Sequence, residues 1–457
     1  MELFNVTYKN DRIILKILGI KIKFNCNPFK RIEKDFKSNQ KFDCKSFDCK
    51  IAKITDKLFR STNFKKVKIN NENNNNIAII ATMLYDWGGH TEYINKFIEN
   101  LPSQYITKIY LTRLNETLKY AIKKFKKIEE KSTILGVNLG DNYSYKQDLL
   151  KLYSDIINYS PKVLFVFMHM DDCFTAALLY LLRKYTNIKI IYINHGSHFP
   201  ALGISFAHFL SYTFDSILEV NKELRNFHNN IYLNLIDERK ENIVDISEDK
   251  KCQIRKELGI CENNYFTLSG ASSYKFFINK KSPYFIMIKD LLEKEPKLQH
   301  IVITELSDEE QKIVDSIFQG SKVYDRLKFC KFTPSYSEIF QSCDLFIDSF
   351  PIASALTHLE LMKHKKVSII KKDDENILYN FYEYFPKDYR YIFSNVNDIK
   401  NNVLSLLHAP ELRTKIGNEL YEHYLRTFEG SVAIKRYVDV IENCESKMEK
   451  FNEFRIN

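Results

Sequence analysis

The chain has no CxxC pair, no apolar run near twenty residues, no solenoid repeat and no Walker loop of the form GxxxxGK[ST]. Each absence removes a class of protein. The nine cysteines are scattered and odd in number, which argues against a disulfide framework and for a reducing, cytosolic setting. The closest pair, Cys44 and Cys49, has no neighbouring histidine to complete a zinc site. With no signal-peptide pattern and no long apolar run, the expectation is a cytoplasmic protein that does not span the membrane. Lys and Arg exceed Asp and Glu by only 68 to 58, a net charge of +10. That excess is too mild for a dedicated nucleic-acid binder, and it suits phosphate-bearing ligands or an anionic membrane face.

What is present is a repeated strand and helix grammar. At 457 residues and 44% hydrophobic content, the chain can build two domains and an appendage. The stretch RIILKILGIKIKF predicts a strand or small hairpin bending near Gly19. An edge strand is its first reading and a lipid-touching basic patch its second. Residues 25–68 read as polar and irregular, and 70–76 (NNENNNN) as a linker.

Strands are expected at Ile77–Leu84, Ile106–Leu111, Val163–Met168, Ile188–Ile193 and Ser216–Val220, with helices between most of them. The pattern restarts with strands at Tyr265–Leu268, His300–Thr304, Leu327–Cys330, Leu345–Asp348 and Val367–Ile370. The expected fold is therefore α/β, two Rossmann-like domains facing a central cleft, with an N-terminal appendage and a helical C-terminal tail. The corresponding segments are 1–76, 77–240, 241–430 and a helix at 431–457 packing back toward the first domain.

Ligands of such sheets bind at the carboxyl ends of strands, and five loops qualify. The loop Asp86-Trp87-Gly88-Gly89-His90 runs from a strand into a helix, where glycines admit a close ligand and helix amides attract a phosphate. An ordinary tight turn uses paired glycines equally often. Asn194 to Gly203 (NHGSHFPALG) gathers His195, Ser197 and His198 at another strand end. Ser269 to Lys275 (SGASSYK) offers Gly270, the hydroxyls of Ser272 and Ser273, and the Lys275 cation. Phe332 to Tyr336 (FTPSY), with Pro334 and Tyr336, can receive a flat base. The stretch DLFIDSFPIASALTHLELMKHKKVSII, from Asp344 to Ile370, supplies Asp348, Ser354, Ala355, Leu356 and the helical Glu360. Glu360 could take a ribose diol in bidentate fashion. A solvent-facing helical glutamate is the bland alternative.

Together these loops resemble the GT-B glycosyltransferases, and among them the bacterial sugar transferases related to the O-GlcNAc transferase and SPINDLY group. Asp344 to Met362 resembles that family's D-x-F-L-D-[ST]-F-P donor motif. The chain departs from it where Ala353, Ser354, Ala355 and Leu356 replace a Gly-Gly-Gly-Thr turn. The resemblance implies sugar transfer from a nucleotide-activated donor, with UDP-sugars first, to a surface glycan, glycolipid or protein acceptor. It implies no metal and no cofactor beyond the co-substrate, and it adds peripheral contact with the inner membrane face as an expectation. It places the base near Pro334 and Tyr336, phosphates at Gly88, Gly89, Gly270, Ser272, Ser273 and Lys275, and the acceptor near His195 and His198 with Trp87 and His90 on the same side. For an inverting reaction His195 and Asp86 are the first candidate bases, with His198 beside them. Two other readings are a non-catalytic GT-B-like binding subunit, favoured by the Ala353 to Ala355 departure, and a sugar-nucleotide epimerase, which would need a set of carboxylates around the donor sugar that these loops do not assemble.

Overall fold

The protein is described by a computed structural model covering residues 4–9, 12–17, 20–25, 27–39, 41–70, 74–86, 89–137, 145–196, 198–331, 336–373 and 382–448. It divides into two compact units, one of Met1–Ile236 with Ala433–Asn457 and one of Asp237–Val432. Among the described residues the strands form three sheets.

A separate antiparallel sheet opens the chain, in the order β1 (Phe4–Lys9), β2 (Arg12–Ile17), β3 (Ile20–Asn25). Its register pairs Val6 with Leu15 and Leu15 with Ile22. Because successive strand residues alternate between faces, Phe4, Val6, Tyr8, Ile13, Leu15, Ile17, Ile20, Ile22 and Phe24 share one face. Lys9, Arg12, Lys16, Lys21 and Lys23 occupy the other, with Asn5, Thr7, Ile14 and Asn25.

The first unit is built on a parallel sheet of β4 (Asn76–Ala81), β5 (Ile106–Leu111), β6 (Ser132–Gly136), β7 (Val163–Phe167), β8 (Lys189–Tyr192), β9 (Phe209–Tyr212) and β10 (Asn230–Tyr232), in the order β10-β9-β8-β7-β4-β5-β6. The central strands β4 and β7 are buried on both faces, as their unbroken apolar runs require. Ala433, Ile434, Tyr437, Val440 and Ile441 of the helix Gly430–Met448 join one of the two cores that cover this sheet. Tyr437 donates to Asn234 O at 2.8 Å, and Tyr105 to Glu442 at 2.5 Å.

Two segments differ from expectation. Residues 25–68 are largely ordered: helices Lys30–Lys37 and Lys45–Leu58 bury Ile32, Phe36, Phe47 and Ile51 in the other core of the sheet. Their apolar residues are too sparse for a strong periodic signal, and their aromatics pack by tertiary contact. The expected strand Ser216–Val220 is helical, Asp215–Glu219 continuing as a π-turn to Leu224. The strand lies earlier, at Phe209–Tyr212. Short runs such as FLSY and SILEV do not reveal their type by period alone.

The second unit has β11 (Tyr265–Gly270), β12 (Leu298–Ile303), β13 (Leu327–Cys330), β14 (Leu345–Ile347), β15 (Ser368–Lys371) and β16 (Ile392–Phe393), in the parallel order β13-β12-β11-β14-β15-β16. In this order β11 and β14 are neighbours, so the loops leaving their carboxyl ends lie side by side. No helix among the described residues is long and apolar enough to cross a membrane.

Candidate functional site

In the first unit the strand order brings the ends of β4, β7 and β8 together, and with them three histidines. His90 Nε2 lies 2.7 Å from Phe167 O. A carbonyl only accepts, so Nε2 carries the proton and Nδ1 the lone pair. Nδ1 is buried and has no partner among the described residues. His195 Nδ1 lies 3.2 Å from Ile193 O, which by the same argument leaves its Nε2 as the basic nitrogen. The two rings are 4.8 Å apart, and His90 is 5.8 Å from His169.

Burial pushes the His90 pKa down to about 4 and the His195 pKa to about 3, with repulsion between neighbouring rings adding to both. His169 is lowered too, again by burial first. His90 and His195 therefore stay neutral at ordinary pH, and the same burial that keeps the free nitrogen of His195 unprotonated also makes it a weak base.

His169 was not among the sequence candidates, although it follows β7 by the same strand-end rule that selected His195. Its Nε2 lies 3.2 Å from Tyr85 OH, and the two rings stack. The backbone below is fixed by buried Asp172, which accepts from Thr82 Oγ1 at 2.6 Å, Thr112 Oγ1 at 2.8 Å and Thr175 Oγ1 at 2.5 Å. Thr82 Oγ1 in turn accepts from His169 N at 2.9 Å. Asp86 has its Oδ1 buried without a partner among the described residues, and Lys124 donates to its carbonyl. His198 packs on the Phe199 ring at 4.0 Å. Arg225 donates to Phe199 O at 2.8 Å and so holds the loop carrying both histidines. Gly89 opens the helix Gly89–Asn100. Trp87, Gly88 and Ser197 lie outside the described residues.

In the second unit the loops after β11 and β14 are stitched together. Lys275 Nζ donates to Ala353 O at 2.9 Å, and Ile352 N to Lys275 O at 3.4 Å. Burial lowers the Lys275 pKa, and the charge of Asp348 opposes that shift. Ser272 is exposed and Ser273 half-buried on the turn leading to Lys275. Gly270 is the last residue of β11, where an added Cβ would meet the Phe340 ring at 3.3 Å. Its missing side chain makes room for the helix Tyr336–Ser342. Tyr336 is 39% exposed and edge-on to Phe340. Pro334 lies outside the described residues.

Asp348 is buried and organises the turn that follows it. Its Oδ1 accepts from Ser349 N at 2.8 Å, Ser354 N at 3.0 Å and Ser354 Oγ at 2.5 Å. Its Oδ2 lies 3.2 Å from His358 Nε2. A side-chain clasp thus shapes the Ala-Ser-Ala-Leu turn. Ala355 and Leu356 are half-buried and lead into the helix Thr357–Lys363. His358 was also missed, although it lies two residues before Glu360 on the same helix.

Glu360 is 8% exposed. Burial alone would raise its pKa, yet His364, Lys363 and Ser337 outweigh that and hold it down to about 2. Oε2 pairs with Lys363 Nζ at 2.6 Å, and Lys363 also reaches Glu238 at 2.9 Å. Oε1 lies 3.5 Å from His364 Nε2 but makes no hydrogen bond among the described residues. Glu360 is therefore a buried, ionised carboxylate with Lys363 on one oxygen and His364 facing the other. No group of three or more His, Cys, Asp or Glu placed to hold a metal ion occurs among the described residues.

No family model and no curated protein matches the sequence. Solved structures do match by fold. HepE from Anabaena, in complex with UDP and glucose, superposes with a TM-score of 0.63 at 11% identity, covering 80% of this chain and 98% of that one. A glycosyltransferase from Rickettsia africae gives a TM-score of 0.63 at 12% identity, covering 83% and 100%. An O-GlcNAc transferase from Thermobaculum terrenum gives 0.55 at 9%, covering 92% and 77%. At these identities the likeness establishes architecture, and the chain has the GT-B fold, with a parallel Rossmann-like sheet in each of its two units.

Proposed function

We propose that the protein is a glycosyltransferase that moves a sugar from a nucleotide-activated donor, a UDP-sugar first among them, to a glycan, glycolipid or protein acceptor of the cell surface. The observation that carries this reading is Glu360, buried and ionised beside Lys363 and His364, in the unit where Lys275 is held at the junction of two strand-end loops. A ribose diol offers the two hydroxyl donors that such a carboxylate accepts. A diphosphate leaving group gathers negative charge, and a desolvated ammonium stabilises that charge more strongly than one in water. Ser272, Ser273 and the backbone at Ala355 and Leu356 complete the phosphate side of this assignment.

The first unit supplies the acceptor chemistry. His195, neutral with its Nε2 lone pair, removes the proton from the acceptor hydroxyl as the bond to the anomeric carbon forms. Burial first, and then repulsion from His90 and His169, keeps it neutral. Support for the uridine nucleotide comes from the fold neighbours in complex with UDP or UDP-glucose.

A thermal-shift screen against UDP-, GDP- and ADP-sugars tests the reading, followed by an assay for hydrolysis of each donor. Stabilisation by one nucleotide sugar, and its slow hydrolysis, is the expected result. No shift with any donor, repeated with purified acceptor present, overturns it. Binding without hydrolysis or transfer would favour a non-catalytic subunit.

A further inference from the structure

We infer that the helix Lys45–Leu58 and the segment following it bind an anionic glycan, the acceptor chain whose end reaches the loop of His195 and His198. This deepens the proposed function and rests on its placing of the acceptor in the first unit. Positive charge is concentrated here. Residues 27–70 contain 13 Lys and Arg against five Asp and Glu, a net +8 in a chain whose whole excess is +10. Two of those five carboxylates are engaged inside the unit. Asp48 is 1% exposed, and Asp56 takes Tyr180 OH and Lys184 Nζ, each at 2.7 Å. Lys50, Lys53 and Lys57 recur at helical spacing, a stripe about 10 Å long that Arg60 extends. All four are exposed, and none makes an ion pair among the described residues. Lys65, Lys66 and Lys68 continue the exposed cations. Like charges at these spacings repel and weaken a helix, and a bound polyanion removes that cost.

The helix is fastened to the loop it would serve. Asp48 accepts from Gly203 N at 2.7 Å and from Ser205 N at 3.1 Å, across 155 and 157 residues of sequence. A cavity lined by Phe42, Lys45, Asp48, Ala201, Ser205 and Arg225 lies where the two meet, and Arg225 holds the same loop through Phe199 O. What the surface lacks selects the partner. Among the described residues from 27 to 70 no large hydrophobic side chain is exposed, so nothing there inserts into a bilayer or stacks on nucleic-acid bases. A hydrophilic chain with acidic groups spaced along it meets such a surface by charge complementarity alone.

Binding of the full chain to polygalacturonate, a carboxylate glycan, and to neutral dextran tests the inference. The measurement needs no donor, so its failure is distinct from failure of the donor assignment. The expected result is binding to polygalacturonate that weakens with added salt, and none to dextran. Lys53→Glu with Lys57→Glu should weaken it roughly tenfold or more, since two exposed attractions are lost and two repulsions gained. Lys280→Glu with Lys281→Glu, the same charge change at two exposed lysines of the second unit, should leave the affinity within about twofold. Bound polygalacturonate should slow hydrogen exchange in residues 45–68 and also in 194–205. No binding by the wild-type chain, equal losses in the two variants, or protection confined to the helix overturns the inference. Tighter binding to single-stranded DNA or to phosphatidylglycerol vesicles than to polygalacturonate overturns it in favour of that partner.

Discussion

Lys275 donates a 2.9 Å hydrogen bond to the carbonyl of Ala353, joining two loops that lie 78 residues apart in sequence. The bond exists because β11 and β14 are adjacent in the sheet. It places a partly desolvated cation beside the turn in which the chain departs from a glycine-rich pattern.

Replacing this cation tests its part in donor binding. Lys275→Met should weaken UDP binding roughly 10- to 100-fold, the worth of a charge-assisted hydrogen bond, while far-ultraviolet circular dichroism stays unchanged. Isothermal titration with UDP and with uridine separates the effects. Only the diphosphate should lose affinity, and equal losses for both ligands would remove Lys275 from the phosphate site.

Glu360→Ala should abolish nucleotide binding and leave the fold intact, because Lys363 keeps its contact with Glu238. Unchanged affinity for UDP would remove Glu360 from the site.

The clasp at Asp348 is tested by His358→Phe and Ser354→Ala. Each removes one partner of a buried carboxylate that keeps others, so each should cost about 1 to 3 kcal/mol of stability. His358→Gln, which retains a donor, should restore most of it. Denaturant unfolding measures the differences, and a phenylalanine variant as stable as wild type would show that the contact carries no stability.

His195→Ala should lower turnover by roughly a hundred- to ten-thousand-fold, the usual worth of a general base. With its pKa held to about 3 by burial and neighbouring rings, His195 stays neutral in mild acid. The pH-rate profile should accordingly show no acid limb near 6.5 from this group. A limb there that vanishes in the His195 variant would contradict the burial argument.

His300 is fully buried and bonded to Thr267 and Tyr284, and burial lowers its pKa to about 3. A histidine lowered on folding contributes stability that is complete above its unfolded pKa and is lost as pH falls toward the folded value. Between pH 7 and pH 5 the loss should be about 2 kcal/mol for this one group. His300→Gln should flatten the slope of stability against pH over that range, and an unchanged slope would assign it to other groups.

The sequence by itself determined the two α/β halves, because runs such as IAIIATML and VLFVF are long and apolar enough to be strands buried on both faces. It also marked the loops at the strand ends, since loops there carry polar residues that a buried strand cannot. Short strands at Phe209–Tyr212 and Asn230–Tyr232 escaped notice because three or four residues show no period.

Tertiary structure alone decided which loops meet. Strand order put His169 beside His90, and no spacing in the chain encodes that neighbourhood. It turned Asp348 toward its own turn and buried Glu360 beside a lysine that also reaches Glu238. Residue types are local facts, whereas the burial that sets a pKa and the partners that engage a carboxylate depend on parts of the chain brought together only by folding.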